Sequence, residues 1–199
     1  QEQLEFERQR ISRDLHDNMG AYTSALMANI DKLKCIQGNN NELTKIQDNA
    51  EHIMNSLRET IWVLNNKEIY ITDFSDEFKT YCFNVLKNFE DFEFESFENI
   101  KNNCLLSASD AININKILQE AVQNIIKHSK ANKITFSINC DSTLVIAIKD
   151  NGIGFEMDKK HIGNGLENIE WRTKDAGAQV QILSYNNEGT TITITKICS

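Results

Sequence analysis

The sequence contains no proline, no long hydrophobic run and no excess of basic residues. No apolar stretch approaches the roughly 20 residues that cross a bilayer as a helix, so no membrane-spanning segment is predicted. The 21 lysines and arginines are outnumbered by 29 aspartates and glutamates, giving a formal charge of -8. This balance argues against general nucleic-acid binding, which needs a basic face, but it is compatible with a local nucleotide pocket. The absence of proline excludes nothing on its own.

The cysteines lack the spacing of a disulfide framework or a zinc motif. The chain has five of them, an odd number with no C-x-x-C pair, at Cys35, Cys82, Cys104, Cys140 and Cys198. We therefore expect reduced thiols in a cytoplasmic protein. The sequence starts at Gln1, inside a charged helical run and without a signal peptide. We expect a fragment of a longer protein, whose unseen upstream part could carry a membrane anchor.

Two helical stripes make up the first third of the chain. The apolar positions of each stripe recur at three- and four-residue steps, which is typical of one helix face. The polar segment 37–42 separates them, so we predict an antiparallel hairpin over residues 1–66 that dimerises into a four-helix bundle, since a lone hairpin cannot cover both stripes. The stripes are Leu4, Ile11, Leu15, Met19, Tyr22, Leu26, Ile30 and Leu33, followed by Leu43, Ile46, Ala50, Ile53, Leu57, Thr60 and Leu64.

Residues 67–199 mix helical and strand patterns. Ser107 and Asp110 form an S-x-x-D helix start. The remainder predicts a two-layer α/β domain with mostly antiparallel strands, and the whole chain is therefore of the α+β class. The predicted helices cover 73–88, 107–129 and 163–177, and the predicted strands cover 92–97, 133–139, 143–149, 179–185 and 190–197.

Two glycine-containing segments follow these patterns. DNGIGF, residues 150–155, follows a buried strand, and GNGLENI, residues 163–169, opens a helix. Glycine lets the backbone approach a ligand closely, and the amides at a helix start favour phosphate. Neither segment is a Walker P-loop or a Rossmann fingerprint. Taken alone, each segment would be interpreted as an ordinary turn.

One face of the helix that starts at Ser107 carries candidate ligand-binding groups. Glu120, Asn124 and His128 lie at i, i+4 and i+8, and Lys127 is adjacent. An amide oxygen is a hard ligand for magnesium, Lys127 and His128 can meet phosphate charge, and Glu120 can hold a water or help to position the metal. This set suits Mg-ATP. The alternative is the solvated polar face of an ordinary amphipathic helix.

Four ordered motifs resemble those of sensor histidine kinases. QEAVQNIIKHSKA, DNGIGF and GNGLENI resemble the N, G1 and G2 boxes of the ATP-binding domain in the GHKL superfamily, which includes gyrase, Hsp90 and MutL. ERQRISRDLHD, residues 7–17, resembles the phosphoacceptor box of the nitrate-sensor-like and desaturase-thermosensor-like subfamily. The resemblance spans nearly the whole chain and implies a Bergerat ATP-binding fold for its second domain.

The resemblance implies a role for each matching residue. His16 would be the phosphorylated histidine, and Asp17 would accept a hydrogen bond from the His16 Nδ1 proton, leaving Nε2 free to attack the γ-phosphate. Glu120 would serve catalysis and, with Asn124, magnesium. Lys127 and His128 would lie near the phosphates.

The same resemblance assigns the nucleotide pocket. Asp150 would accept a hydrogen bond from the adenine amino group. The lid would be the segment 156–162, and Thr190 would point inward with Ile192 and Ile194 toward the adenine. The glycines expected to line the nucleotide are Gly152, Gly154, Gly163 and Gly165.

Position 21 departs from the subfamily pattern. The subfamily often has a glutamine five residues after the phosphorylated histidine, whose amide orients water for dephosphorylation, but this chain has Ala21. Phosphatase activity is therefore doubtful, while the kinase groups look complete.

Three functional hypotheses follow. The first is a homodimeric sensor kinase core that uses ATP and Mg²⁺ to phosphorylate His16 and then an aspartate of a response-regulator receiver with a LuxR-type DNA-binding output. Neither nucleic acid nor membrane is expected to contact this fragment directly. The second is an ATP-gated dimeric binding module of the same fold without kinase activity. The third, a GHKL serine kinase or conformational ATPase, is disfavoured by the helical hairpin that carries LHD.

Overall fold

The structure is a computed structural model, and the chain divides into two compact units, Gln1–Lys67 and Glu68–Ser199. It describes residues 10, 22, 25–26, 28–30, 32–34, 43–47, 49–50, 53, 68–87, 89, 92–156 and 164–198. Within these ranges, no helix has the length and hydropathy needed to cross a membrane. The predicted domain boundary at 66/67 lies one residue from this division.

All described residues of the first unit are helical. Ile30, Leu43 and Ala50 are buried, and the Lys34 ammonium donates to Gln47 Oε1 across the predicted turn. These contacts link the two predicted stripes, as a hairpin requires. Other stripe positions are exposed in the single chain, namely Tyr22, Leu26, Leu33, Ile46 and Ile53.

The second unit is a five-stranded sheet with helices on one face. Its helices are α1 (Ile71–Leu86), α2 (Ala108–Asn124) and α3 (Asn164–Asp175), with a π-helix (Ile125–Ser129) directly after α2. Its strands are β1 (Glu68–Tyr70), β2 (Glu93–Ile100), β3 (Leu105–Ser107), β4 (Lys133–Cys140), β5 (Thr143–Asp150), β6 (Gln179–Tyr185) and β7 (Gly189–Ile197).

The sheet order is β2-β4-β5-β7-β6. β2 pairs with β4 in parallel, and every other neighbouring pair is antiparallel. Alternate residues of β4 and β5 are buried, because successive side chains of a strand point to opposite faces. Phe136 of β4 meets Phe78 of α1 with ring centroids 4.7 Å apart, so this buried face is the one that the helices cover. The predicted two-layer α+β fold is confirmed.

Several local features differ from the prediction. β1 and β3, which form a separate antiparallel pair, are absent from the sequence-based assignment because three residues are too few to show a period. α1 begins two residues earlier than expected, directly after β1. The helix predicted to reach residue 129 is α-helical only to Asn124, and its last turn is a π-helix. The helix start is as predicted, since Ser107 Oγ accepts a hydrogen bond from Asp110 N at 3.1 Å.

Candidate functional site

One wall of a cavity of about 570 Å³ is built from α2 and the π-helix. The structure brings the side chains of Glu120, Asn124 and His128 together along this wall. Asn124 Nδ2 donates to Glu120 Oε1 at 3.3 Å. Because the amide nitrogen is used in this way, Asn124 Oδ1 and the second Glu120 oxygen stay available as acceptors.

The π-helix ends this wall with a tightly bonded turn. Ser129 Oγ donates to Ile125 O at 2.7 Å and accepts from Ala131 N at 3.0 Å. Lys130 then takes a left-handed conformation with φ 54° and ends the helix. Such turns occur frequently at functional sites. Here the wider turn places both His128 and Ser129 on the cavity.

A buried carboxylate lies in the opposite wall, at the end of β5. Asp150 is 2% exposed. Its Oδ1 accepts from Gly152 N at 2.7 Å and its Oδ2 accepts from Thr190 N at 3.1 Å. Burial raises the pKa of Asp150 above its ordinary value, and the two amide donors oppose that shift. Each carboxylate oxygen keeps further acceptor capacity, so the group is held in place while it can still accept a bond from a ligand.

The loop after Asp150 has no room for a side chain at either of its two glycines. A Cβ at Gly152 would lie 2.3 Å from Ser129 O, and Ile153 N donates to that same oxygen at 2.8 Å. Gly154 has φ +60°, and a Cβ there would lie 2.1 Å from Tyr185 O. The predicted glycines of this loop therefore have different tasks. Gly152 joins the loop to the π-helix, and Gly154 lines the cavity.

The β6–β7 hairpin completes this side of the cavity. Thr190 Oγ1 lies 2.9 Å from Ser184 Oγ, and Ser184 Oγ accepts from Phe155 N at 2.8 Å. Gly189 has φ +80°, and a Cβ there would lie 2.0 Å from Asp150 O. Only a glycine lets the hairpin approach the end of β5 this closely.

The start of α3 presses against the acidic end of the cavity. A Cβ at Gly165 would lie 2.6 Å from Glu120 Oε1. Buried Asn113 of α2 fixes the far end of α3, because its Nδ2 donates to Asp175 Oδ2 at 2.7 Å and its Oδ1 accepts from Arg172 Nη1 at 3.3 Å. The two helices are thus joined at both ends.

The predicted site residues fall into three groups. Glu120, Asn124, His128, Asp150, Gly154, Gly165 and Thr190 line the cavity. Lys127 and Gly152 do not line the cavity. Lys127 is exposed, with its ammonium 3.5 Å from Gln123 Oε1, and Gly152 is buried against the backbone of Ser129. His16, Asp17, Ala21, Gly163 and the segment 157–162 lie outside the described residues.

Sequence reasoning missed the apolar surface of the cavity and the roles of two hairpin residues, one against the end of β5 and one bonded to Thr190 and Phe155. Strand alternation placed several of the isoleucines in the core but did not show that they face a cavity. Gly189 and Ser184 were read only as parts of a hairpin. The apolar lining residues are Ile125, Ile148, Ile153, Phe155, Leu166 and Ile192.

The arrangement suits a purine nucleotide. An apolar lining with one buried acceptor, Asp150, matches a base that carries an amino group. The oxygens of Glu120 and Asn124 are the hard ligands that Mg²⁺ prefers, and the pair therefore fits a metal-bound phosphate chain. The same wall carries His128, a group able to donate to phosphate.

Two family models match the chain. The HisKA_3 model, described as histidine kinase, matches residues 7–68. The HATPase_c model, described as histidine kinase-, DNA gyrase B- and HSP90-like ATPase, matches residues 109–197. The first covers the predicted phosphoacceptor box, and the second covers all the described cavity residues.

Curated relatives agree with both models. The chain is 28% identical over 202 residues to the sensor histidine kinase LiaS of Bacillus subtilis (strain 168), covering 94% of this chain and 53% of LiaS. It is 29% identical over 204 residues to the signal transduction histidine-protein kinase/phosphatase DegS of Brevibacillus brevis, covering 96% and 51%. The sensor protein VraS of Staphylococcus aureus (strain COL) is 38% identical over 81 residues, which is 40% of this chain and 23% of VraS.

Solved structures support the fold. The histidine kinase AdeS of Acinetobacter baumannii aligns with a TM-score of 0.57 at 13% identity over 92% of this chain and 98% of that one. The histidine kinase domain of the blue-light activated kinase of Erythrobacter litoralis EL346 gives 0.54 at 10% identity over 86% and 94%.

The chain belongs to the sensor histidine kinases, with a HisKA_3 match over residues 7–68 followed by a HATPase_c match over residues 109–197. It spans about half the length of the LiaS and DegS relatives.

Proposed function

We propose that this protein transfers the γ-phosphoryl group of ATP to His16 and then to an aspartate of a response-regulator receiver. The observation that carries the proposal is the cavity itself. The recessed Asp150 carboxylate lies at one wall, and Glu120, Asn124 and His128 lie along the other. An acceptor for a base and polar groups for phosphates in one cavity are the groups that ATP requires. The HisKA_3 match over residues 7–68, which include His16, supports the phosphotransfer step.

The residues of the second unit would bind and orient the nucleotide. Asp150 would accept from the adenine amino group and so reject bases without a donor at that position. Glu120 and Asn124 would hold Mg²⁺ through oxygen atoms, and the bound ion would neutralise charge on the phosphates. Lys127, exposed one residue before His128, would add positive charge at the phosphate end.

His16 would act as the nucleophile. Asp17 would accept a hydrogen bond from the Nδ1 proton and so keep Nε2 unprotonated, which leaves the Nε2 lone pair free to attack phosphorus. The phosphoryl group leaves ADP and forms a bond to Nε2. The imidazole phosphate can then pass the group to a carboxylate on the receiver.

A homodimer is the proposed assembly. Leu26, Leu33, Ile46 and Ile53 of the first unit are exposed in the single chain, and a second copy would cover them as a four-helix bundle. We further propose a response regulator with LuxR-type output. The proposed location is the cytoplasm, where ATP is available, with any membrane anchor lying upstream of this segment. Ala21 offers no side-chain amide to orient water, so we propose that phosphatase activity is weak or absent.

Labelling with γ-³²P-ATP and Mg²⁺ tests the proposal. We expect acid-labile, base-stable label on the wild-type chain and none on His16→Gln. His52→Gln is the matched control, because it removes another histidine of the same unit and should label normally. Label that persists on His16→Gln would overturn the assignment.

The competing binding-module hypothesis is tested with the same samples. ATP affinity is measured for the wild type and for Asn124→Ala. A chain that binds ATP but never becomes labelled would favour an ATP-gated module. Loss of label in Asn124→Ala together with loss in His16→Gln would favour the kinase.

A further inference from the structure

Three cysteines converge at the end of the sheet that lies away from the nucleotide cavity. The sulfur atoms of Cys104, Cys140 and Cys198 all lie within 4.8 Å of one another. Cys140 Sγ donates to Cys104 Sγ at 3.2 Å and lies 3.5 Å from Cys198 Sγ. All three are free thiols. Two of the cysteines are buried and Cys198 is half-buried.

The backbone holds each cysteine in place. Cys104 precedes β3, Cys140 ends β4 and Cys198 follows β7, so three separate segments must be fixed for the sulfurs to meet. Each is tied to a neighbouring segment by a main-chain hydrogen bond. These bonds are Ile71 N to Cys104 O at 3.0 Å, Lys101 N to Cys140 O at 2.8 Å and Cys198 N to Ser142 O at 3.2 Å.

We propose that Cys104, Cys140 and Cys198 form a three-thiolate site for a thiophilic d¹⁰ cation, Zn²⁺ or Cu⁺. Zinc–sulfur bonds are about 2.3 Å long, so two sulfurs on one tetrahedral ion lie about 3.8 Å apart. The observed separations of 3.2 and 3.5 Å therefore need to open by only about 0.3–0.6 Å. On binding, each thiol releases its proton to solvent, and the sulfur lone pair forms the bond to the ion. No oxidation state changes.

The chemistry of the cluster favours a soft cation over the alternatives. All three candidate ligands are sulfur, and sulfur selects zinc and copper(I) over magnesium or calcium. Burial raises the pKa of Cys104 and of Cys198. Cys82 is a lone buried thiol elsewhere in the domain and shows the ordinary apolar use of cysteine.

The position of the site predicts what the ion would do. Asp150 and Gly189 at the nucleotide cavity occupy one end of β5 and β7, and the cysteines lie beyond the other end. An eight-residue strand is about 23 Å long at about 3.3 Å per residue after the first. The ion would therefore join the ends of β4 and β7 to the segment before β3 and stabilise the domain, without touching the reacting groups.

Metal titration of the reduced 1–199 chain under anaerobic conditions tests the proposal, in separate arms with Zn²⁺ and Cu⁺. We expect one ion per chain, about three protons released into weakly buffered solution, and an X-ray absorption spectrum with three sulfurs at about 2.3 Å. At a free ion concentration about 100 times Kd, the unfolding midpoint should rise by about 5–10 °C. Binding in one arm only identifies the cation.

Cys198→Ser is the main variant, because this residue is half-buried at the end of β7 and its replacement should leave the fold intact. Its ion affinity should fall at least about tenfold, since even indirect supporting residues of metal sites cost that much. Cys35→Ser removes a thiol of the other unit and should bind normally. The proposal is overturned if neither ion binds, if Cys198→Ser binds like the wild type, or if Cys35→Ser abolishes binding.

Discussion

Replacing Asp150 by asparagine tests the adenine pocket most directly. The two carboxylate oxygens accept from different amides, Gly152 N at 2.7 Å and Thr190 N at 3.1 Å. An asparagine has one oxygen, so its amide nitrogen must face either one of these donors or the donor of the base. A hydrogen bond to a charged group contributes about 1.5–3 kcal/mol. Since each 1.4 kcal/mol is a factor of ten, ATP affinity should fall about 10- to 150-fold.

The stability of the variant should change less than its affinity. One backbone donor loses its partner, at a cost of about 1–3 kcal/mol. The removal of a carboxylate that is 2% exposed relieves the desolvation of a buried charge, which acts in the opposite direction. Thermal unfolding of Asp150→Asn without nucleotide separates this contribution from binding.

Base selectivity gives the sharpest readout. Kd is measured for ATP and for purine riboside triphosphate, which lacks the amino group. The wild type should prefer ATP by about 10- to 150-fold, and Asp150→Asn should bind both with nearly equal affinity. Asp141→Asn, an exposed change in the β4–β5 turn, is the control and should keep the preference. If Asp150→Asn still discriminates like the wild type, Asp150 does not contact the base.

Two further predictions concern the same end of the sheet. Gly189→Ala should lower the free energy of unfolding by about 2–5 kcal/mol in urea titrations, because φ is +80° and the new Cβ would lie 2.0 Å from Asp150 O. Gly177→Ala is the control: φ is +58°, but the new Cβ would meet only the Lys196 ammonium at 3.6 Å, so the free energy of unfolding should fall by only about 1 kcal/mol. Equal losses in the two variants would refute the steric argument. ATP affinity should fall on acidification, through a pH above the ordinary aspartate range, because burial raises the pKa of Asp150 and the ionised carboxylate is the form proposed to accept a hydrogen bond from the adenine amino group. The folding stability of the chain without nucleotide should change in the opposite direction. The native state binds the Asp150 proton more tightly than the unfolded state does, so stability falls as pH rises through the same window. Calorimetric Kd values across that window check the first trend. A wild-type affinity that is independent of pH, or an equal fall in Asp150→Asn, would contradict it.

Periodic elements were predictable from the sequence. The alternation in β4 and β5 and the start of α2 at Ser107 each depend on local chemistry that the residues carry with them. The i, i+4, i+8 spacing likewise indicated that Glu120, Asn124 and His128 share a wall, because that spacing holds for any regular helix. The roles of these residues came from the family resemblance.

Features set by tertiary contacts were not predictable. β1 and β3 are three residues each and exist through pairing with each other. The π-helical turn that carries His128 has no compositional signal. The cysteine spacings of 36 and 58 residues give no hint that the sulfurs meet, because strand order controls their convergence.

The π-helical turn at Ile125–Ser129 has a consequence for how such domains diversify. A π turn closes with an i to i+5 bond, so it accommodates one residue more than the α-helical alternative. Loss of a single codon in this segment would convert the turn to regular helix and leave α2 and β4 unchanged in sequence. A different side chain would then face the end of the cavity proposed to hold the triphosphate. Related chains that are one residue shorter or longer in this segment are therefore expected to share the sheet but to present a different side chain at this end of the cavity.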